Sequence, residues 1–462
     1  MLTFVLTTAL SLLLQRIGRN APLSSQSHIL TSVGLGWAII AAIGALPIWL
    51  TAITIVNTGE PTVKPVSNPT VTDFTNGLNA LFEGVSGFTS AGLTMVSRPS
   101  QLPACLQWWR SLMQWVGGIG VIVLAIALLE PSKDSYVLYQ AEGRQARIGL
   151  TITRTVRRIL AIYTGYTLFS LFLLKISGMS WWVALNHAMS AISTGGFSIT
   201  DNSMGAYSLS IKLVLIVVMF LGAMPFSIHD QILSKKNLAA LLKDRQHFLL
   251  LSLGMVGCVV VGLEHYRFVG QFAWIESIFQ WLSALTTCGF STQSLQFWSS
   301  RNKLLLSIAM VMDGAAGSTA GGLKLRRIVA MFESVSWRLR RTTLSSRQIV
   351  LRQVDGQLYT PEQASRKIEE ATALGVLWIV CLGIGVLLLT HVVPTEYTLS
   401  DVIFETSAAL GTAGLSVGIT TPSLHWSGKC VLIVLMWMSR LEIVPVLMLL
   451  LAPWNYLFKR FR

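Results

Sequence analysis

The chain has 462 residues, 52% hydrophobic and 12% charged, with a formal net charge of +14 and a mean hydropathy of +0.60. A soluble globular protein carries roughly 25% charged residues, so this composition excludes that class and reads as a polytopic membrane protein. The basic excess does not call for nucleic acid. Most of the 35 Lys and Arg residues fall near residues 16–19, in 130–158, 228–247 and 324–367, and in the tail, segments that would share the cytoplasmic face by the positive-inside rule.

In chain order, residues 2–14 are apolar but too short to span comfortably, with no basic residue ahead and no clear cleavage site. They read as a partial or interfacial helix rather than a secretory signal. Long apolar stretches follow at 33–55, 112–129, 159–174, 211–226, 248–263, 371–391 and 431–451, with a shorter one at 304–312 that runs into glycines. A crossing takes about 20 residues. Between them lie shorter, moderately apolar segments such as 74–88 and 275–285, with helix starts expected at Asp73, Gly178 and Asp401. The five cysteines (Cys105, Cys258, Cys288, Cys381 and Cys430) are odd in number and scattered, with neither metal spacing nor a disulfide framework.

Each short segment ends in nearly the same words: FTSAGLT at 88–94, ISTGGFS at 192–198, TTCGFST at 286–292 and LGTAGLS at 410–416. The glycines Gly92, Gly196, Gly289 and Gly414 recur about every 100 residues. Two positions before them stand Ser90, Thr194, Thr287 and Thr412; three before, Thr89, Ser193, Thr286 and Gly411; six before, Ser86, Ser190, Ser283 and Ala408. The repeating unit is therefore helix, short helix, glycine strip, helix. Four copies give eight spanning helices with both termini cytoplasmic. The units read as 30–130, 131–227, 228–345 (with a glycine-rich loop at 313–324) and 346–462 with a cytoplasmic tail, after a segment at 1–29. The expected fold is an all-α membrane protein with pseudo-four-fold symmetry around one pathway.

A helix of 12 to 15 residues is only about 20 Å long, so it must enter the membrane and turn back, which is permitted where backbone is buried in protein or lines water. Its carbonyl pole then points inward and favours cations. A glycine there can turn carbonyls toward the pathway, and four matched carbonyl strips can replace a monovalent cation's hydration shell.

The four strips, with WVGGIGVIVLAIALL at 115–129, GAAGSTAGGLK at 314–324 and SRLEI at 439–443, resemble the Trk/Ktr/HKT superfamily of potassium transporters, nearest to the bacterial Trk-type membrane subunit. The resemblance implies potassium uptake across the inner membrane and no enzymatic activity. It also implies a homodimer, a cytosolic nucleotide-binding regulatory ring, a surrounding of membrane lipid and no tightly bound organic cofactor. The K+ filter it implies comprises Thr89, Ser90, Ala91 and Gly92; Ser193, Thr194, Gly195 and Gly196; Thr286, Thr287, Cys288 and Gly289; and Gly411, Thr412, Ala413 and Gly414. It further implies a gating loop built on Gly314, Gly317, Ser318, Thr319, Gly321 and Gly322, and an arginine, Arg440, projecting beneath the filter as a cation barrier. Intact glycines resemble the potassium-selective members. The sequence departs from the family in its reduced N-terminal hairpin, in the few hydroxyls of the first strip and in Gly411.

Other readings stand beside these. The loop glycines could serve helix packing, whereas a phosphate loop lacks its Gly-Lys-Ser/Thr and preceding strand. Arg440 could pair with Glu442, although residues two apart face different ways on a helix. Glu83 and Glu405, nine residues before their glycines, suit the positive pole of a helix better than an ion-attracting mouth. His187, His229, His265, His391 and His425 read as interfacial, and Trp108, Trp109, Trp181, Trp182, Trp298 and Trp426 as an aromatic belt. The basic run Arg338, Arg340, Arg341, Arg347 and Arg352 suits a regulatory ring or anionic lipid. A sodium or weakly selective pathway is the nearest rival. An intramembrane enzyme would need a convergent nucleophile and base, and Asp313 stands without either.

Overall fold

The computed structural model describes residues 16, 26–58, 69–120, 123, 151–236, 241, 244–271, 273–312, 314–343, 352–354 and 357–451. The segment 2–14, Asp313 and Arg347 lie outside them. Four long helices carry the first position of each repeat: α1 (Gln26–Thr58), α4 (Ile152–Ile176), α8 (Arg245–Val269) and α12 (Pro361–Thr390). These four are long and apolar enough to cross a membrane. They leave Phe169, Phe172, Met255, Val256, Ile379 and Leu387 exposed, as a lipid-facing helix surface should be.

Each short helix has 12 residues: α2 (Gly77–Phe88), α5 (Trp181–Ile192), α9 (Trp274–Leu285) and α13 (Leu399–Leu410). Their starts differ from those expected because other side chains cap them. Asn76 accepts from the Leu78 N–H at 2.9 Å, and the Ser180 side chain accepts from Val183 N–H. Asp401 lies inside the first turn, where its carboxylate accepts from the backbone N–H of Thr398 at 2.8 Å. Asp73 falls in a separate 3-10 turn; burial raises its carboxyl above the ordinary range, against the lowering effects of a Ser97 hydrogen bond and Lys429.

The second helix of each unit is shorter than a crossing: α3 (Ala104–Ile119), α6 (Leu209–Ala223), α10 (Ser300–Met312) and α14 (Trp426–Arg440). Eight spanning helices were expected, with a glycine-rich interruption in the third unit alone; here each of these four stops short. Gly120, at φ +94°, ends α3. Pro225 holds Met224 extended, and α7 (Phe226–Lys235) leaves at a 104° bend from α6. The glycine-rich loop follows α10 and leads into α11 (Leu325–Thr343). After α14, Glu442 and Ile443 both sit at positive φ, 59° and 70°. Among the described residues the fold is all-helical apart from two paired three-residue strands, β1 (Arg352–Val354) and β2 (Gln357–Tyr359).

Packing is cyclic. Each short helix lies along its own long helix and also against the second helix of the preceding unit: α3 with α5, α6 with α9, α10 with α13, and α14 back to α2. That places the ends of all four short helices at the centre.

Candidate functional site

All four short helices stop in the same way. The N–H of Ala91 bonds the carbonyl of Ser86, as Gly195 does Ser190, Cys288 does Ser283 and Ala413 does Ala408, each at 2.9 Å. One residue earlier, the N–H groups of Ser90, Thr194, Thr287 and Thr412 bond the carbonyls of Gly87, Ala191, Ala284 and Ala409. This pair of bonds is the Schellman termination. Its left-handed residue is usually glycine, yet Ser90, Thr194, Thr287 and Thr412 hold φ between 50° and 56°. A β-branched residue there costs energy, and such strain is tolerated where function requires the backbone shape. The glycines then return to positive φ: Gly92 at 81°, Gly196 at 75°, Gly289 at 88° and Gly414 at 69°.

Those glycines stand shoulder to shoulder. A Cβ on Gly92 would meet the carbonyl oxygen of Gly195 inside 3.0 Å; on Gly196, that of Cys288; on Gly289, that of Ala413; and on Gly414, that of Ala91. The four strips therefore lie in cyclic order, each glycine beside the carbonyl that precedes its neighbour's glycine. Their side chains face away. The hydroxyls of Thr89 and Thr286 donate back to Val85 and Leu282, and that of Ser193 to Ser190. Gly411 therefore removes a back-bond, not a group facing the axis. It is glycine because a Cβ there would come within 3.0 Å of the carbonyl oxygens of Met310 and Ser407.

Glu83 and Glu405 are fully buried and play a structural part different from serving a helix pole. Each reaches across to the chain leaving its own strip. The Glu83 carboxylate accepts from Thr94 Oγ1 at 2.8 Å and Met95 N at 2.9 Å; that of Glu405 accepts from Ser416 Oγ at 2.7 Å and Val417 N at 3.0 Å. His187 bonds Ser198 Oγ at 3.0 Å, and Gln280 donates to Thr292 Oγ1 at 3.4 Å. Arg110 completes the first of these, with Nε 2.7 Å from Glu83 Oε1.

Several expected boundary residues are interior. His187, His229 and His265 are buried: His187 contacts Val183 O and Ser198 Oγ, His229 contacts Leu221 O and Tyr166 Oη, and His265 lies against Trp298. Trp298 is also buried, stacked on His265 at 4.5 Å between centroids, while Trp108, Trp181, Trp182 and Trp426 are exposed. Among the described residues no group of His, Cys, Asp and Glu could hold a metal ion, and the five cysteines are free.

A ring of inter-unit ties went unseen in the sequence. Lys303 Nζ lies 2.6 Å from Asp401 of the next short helix and donates to Gln296 O at 2.7 Å. Lys429 Nζ does the same with Asn79 at 2.6 Å and Pro422 O at 2.7 Å. Lys212 stands 4.0 Å from Glu276, and Gln107 accepts from Trp182 Nε1 at 3.0 Å while donating to Pro99 O at 3.0 Å. The signal was a Lys or Gln in the first turn of the helix that follows every strip, at its fourth residue. Breaking a buried pair by removing one partner costs about 3–5 kcal/mol. Lys303→Met should therefore lower the thermal unfolding midpoint in detergent sharply, and adding Asp401→Asn, which removes the unpaired charge but keeps an acceptor for the Thr398 N–H, should restore most of it.

Beneath the strips runs the loop 314–324, largely buried. Thr319 Oγ1 donates to Gly222 O at 2.9 Å and lies 3.2 Å from Thr194 Oγ1. Gly321 N–H reaches Thr287 Oγ1 at 3.4 Å, and a Cβ on Gly321 would collide with the Thr412 side chain. The loop thus abuts three of the four strips. Gly314 packs against Ala223 and Ala320, and Gly317, at φ +82°, presents its carbonyl to Phe226 N–H at 3.1 Å. Ser318 Oγ accepts from Ala320 N at 3.3 Å, and Gly322 N–H donates to Ser439 Oγ at 3.2 Å. Arg440 closes the fourth side. Its guanidinium donates to Thr319 O at 3.4 Å, to Gly118 O at 3.2 Å and to Gly117 O. The alternative pairing with Glu442 does not form; Glu442 pairs with Arg327.

Long apolar helices around a buried, backbone-lined centre suit a membrane-embedded transport protein. A family model described as TrkH, cation transport protein, matches residues 48–455, and the chain belongs to that family. It is 30% identical over 424 residues to an uncharacterized cation transporter of Methanocaldococcus jannaschii, covering 91% of this chain and 82% of the relative. It is 27% identical to the Trk system potassium uptake protein TrkH of Halomonas elongata, covering 90% and 83% of the two chains. The crystal structure of the potassium transporter TrkH from Vibrio parahaemolyticus superposes with a TM-score of 0.75 at 26% identity, over 93% of this chain and 86% of that one.

Proposed function

We propose that this chain takes potassium into the cell through a carbonyl-lined filter formed by residues 89–92, 193–196, 286–289 and 411–414, arranged with pseudo-four-fold symmetry by the units 30–130, 131–227, 228–345 and 346–462. The observation that carries this reading is the cyclic contact of each strip glycine with its neighbour's carbonyl. Four backbone oxygens around one axis can replace a cation's water shell, and the hydroxyls turned back into the helices leave the backbone to do so. Relatives named as potassium uptake proteins supply the ion.

The loop at 313–324 is the gate, held shut by Arg440, whose charge adds a barrier to cations. Membrane potential drives entry at about 2.3 kcal/mol per charge per 100 mV, whether alone or with coupling to protons or sodium. By the positive-inside rule the basic segments favour the cytoplasmic side for both termini and α11, where a nucleotide-binding regulatory ring would meet a homodimer of this chain in the inner membrane. Expressed with its regulatory partner in cells lacking other potassium uptake, the chain should restore growth at low potassium. Absence of rescue by a chain present in the membrane would refute the reading, and reversal potentials in mixed potassium and sodium separate it from a sodium pathway.

A further inference from the structure

The second strip alone has glycine immediately before its filter glycine: Gly195, against Ala91, Cys288 and Ala413. The reason stands beside it. A Cβ at Gly195 would come within 3.0 Å of Cδ, Oε1 and Nε2 of Gln114, so this amide is seated on a bare Cα. Gln114 is fully buried in α3. Its Nε2 donates to Gly195 O at 2.6 Å, while Oε1 accepts from Ser190 Oγ at 2.6 Å and from Phe197 N–H at 3.0 Å. These partners fix the amide's orientation, with the donor toward the carbonyl. The same place in the other units, seven residues beyond Lys212, Lys303 and Lys429, holds Met219, Met310 and Met436, all fully buried. Methionine has no hydrogen to donate.

The Gly195 oxygen is one of the four that stand against a neighbour's glycine, with those of Cys288, Ala413 and Ala91. We propose that Gln114 sets ion selectivity. By donating to Gly195 O it shares one oxygen of the ring and holds it in place, so the ring offers three undivided carbonyls and one divided one. This rests on the filter reading above. Number and field strength of the coordinating carbonyls distinguish potassium from sodium. The smaller, more strongly hydrated sodium ion gains more from an undivided and movable oxygen. Sharing that oxygen therefore works against sodium.

The test is the potassium-to-sodium permeability ratio, from reversal potentials of the full chain in reconstituted membranes. Gln114→Met should keep a current and lower the ratio by about fivefold or more, since the carbonyl field changes while the backbone ring remains. The double variant Gln114→Met with Gly195→Ala, which installs residue types already present in other units and fills the space the amide leaves, should show the same shift. Ser190→Ala, which removes one of the bonds orienting the amide, should shift the ratio in the same direction by less. An unchanged ratio in a conducting double variant overturns the inference. So does loss of current in Gln114→Met alone when the protein is folded in the membrane, because Gln114 would then serve conduction rather than discrimination. A wild-type chain that passes no potassium would instead overturn the filter reading itself.

Discussion

Replacing Gly289 by alanine should reduce potassium uptake by at least about 100-fold while the protein still reaches the membrane. The added methyl meets two independent obstacles. Gly289 lies at φ +88°, a region that costs a side-chain-bearing residue roughly 1–2 kcal/mol. Its Cβ would also fall within 3.0 Å of the Ala413 carbonyl oxygen, a backbone group that cannot swing aside as a side chain end could. Relief must come from turning that carbonyl or parting two strips, and either breaks the ring. A 1 Å misplacement of a positioned group can by itself cost about 100-fold. Gly383→Ala is the matched control. It lies within α12 with nothing within 4 Å of the added atom, so uptake should be unchanged and stability slightly improved. Rubidium uptake normalised to membrane protein measures both; uptake near wild type in Gly289→Ala would remove the ring from the pathway.

Arg440→Ala should act in the opposite direction, raising flux about tenfold and making it less dependent on the regulatory partner. Its guanidinium binds the carbonyl of Thr319 in the loop to those of Gly117 and Gly118 at the end of α3. Hydrogen bonds from a charged group contribute about 1.5–3 kcal/mol each, and a shift of about 1.4 kcal/mol in favour of the open loop changes its population tenfold. Removal also deletes a positive charge beside the pathway. Arg440→Lys keeps the charge but not the planar fork that spans both partners, so its flux should lie between the two. Tracer uptake in proteoliposomes with and without the partner checks this; a lower flux in Arg440→Ala would make the arginine a structural strut instead of a latch.

The parts of the site legible in the sequence are those written in the residue itself. Positive φ beside a neighbour's carbonyl leaves no room for a Cβ at the strip glycines, so four glycines after small residues marked four strips. What stayed hidden depends on a neighbour remote in sequence. Gly411 looked like a departure and Gly195 like one variant among four, yet each gives way to a particular object, the Met310 carbonyl in one and the Gln114 amide in the other. Lys303 and Lys429 gave no signal, because a lysine at the head of an apolar run can equally reach the headgroups; only packing turns them inward. The breaks after α6 and α14 were missed because hydropathy continues across them, while Pro225 and the strained pair Glu442 and Ile443 stop the hydrogen-bond ladder.

The tie between Lys429 and Asn79 joins residues 350 apart in sequence and resembles those between consecutive units. Order of synthesis and order around the ring are therefore separate matters. The first quarter of the chain enters the bilayer with one flank unsatisfied and keeps it so until the last quarter arrives. A ribosome that stalls before residue 429 leaves an open horseshoe in the membrane, with Asn79 waiting at its gap. A separately expressed fourth quarter should close that seam.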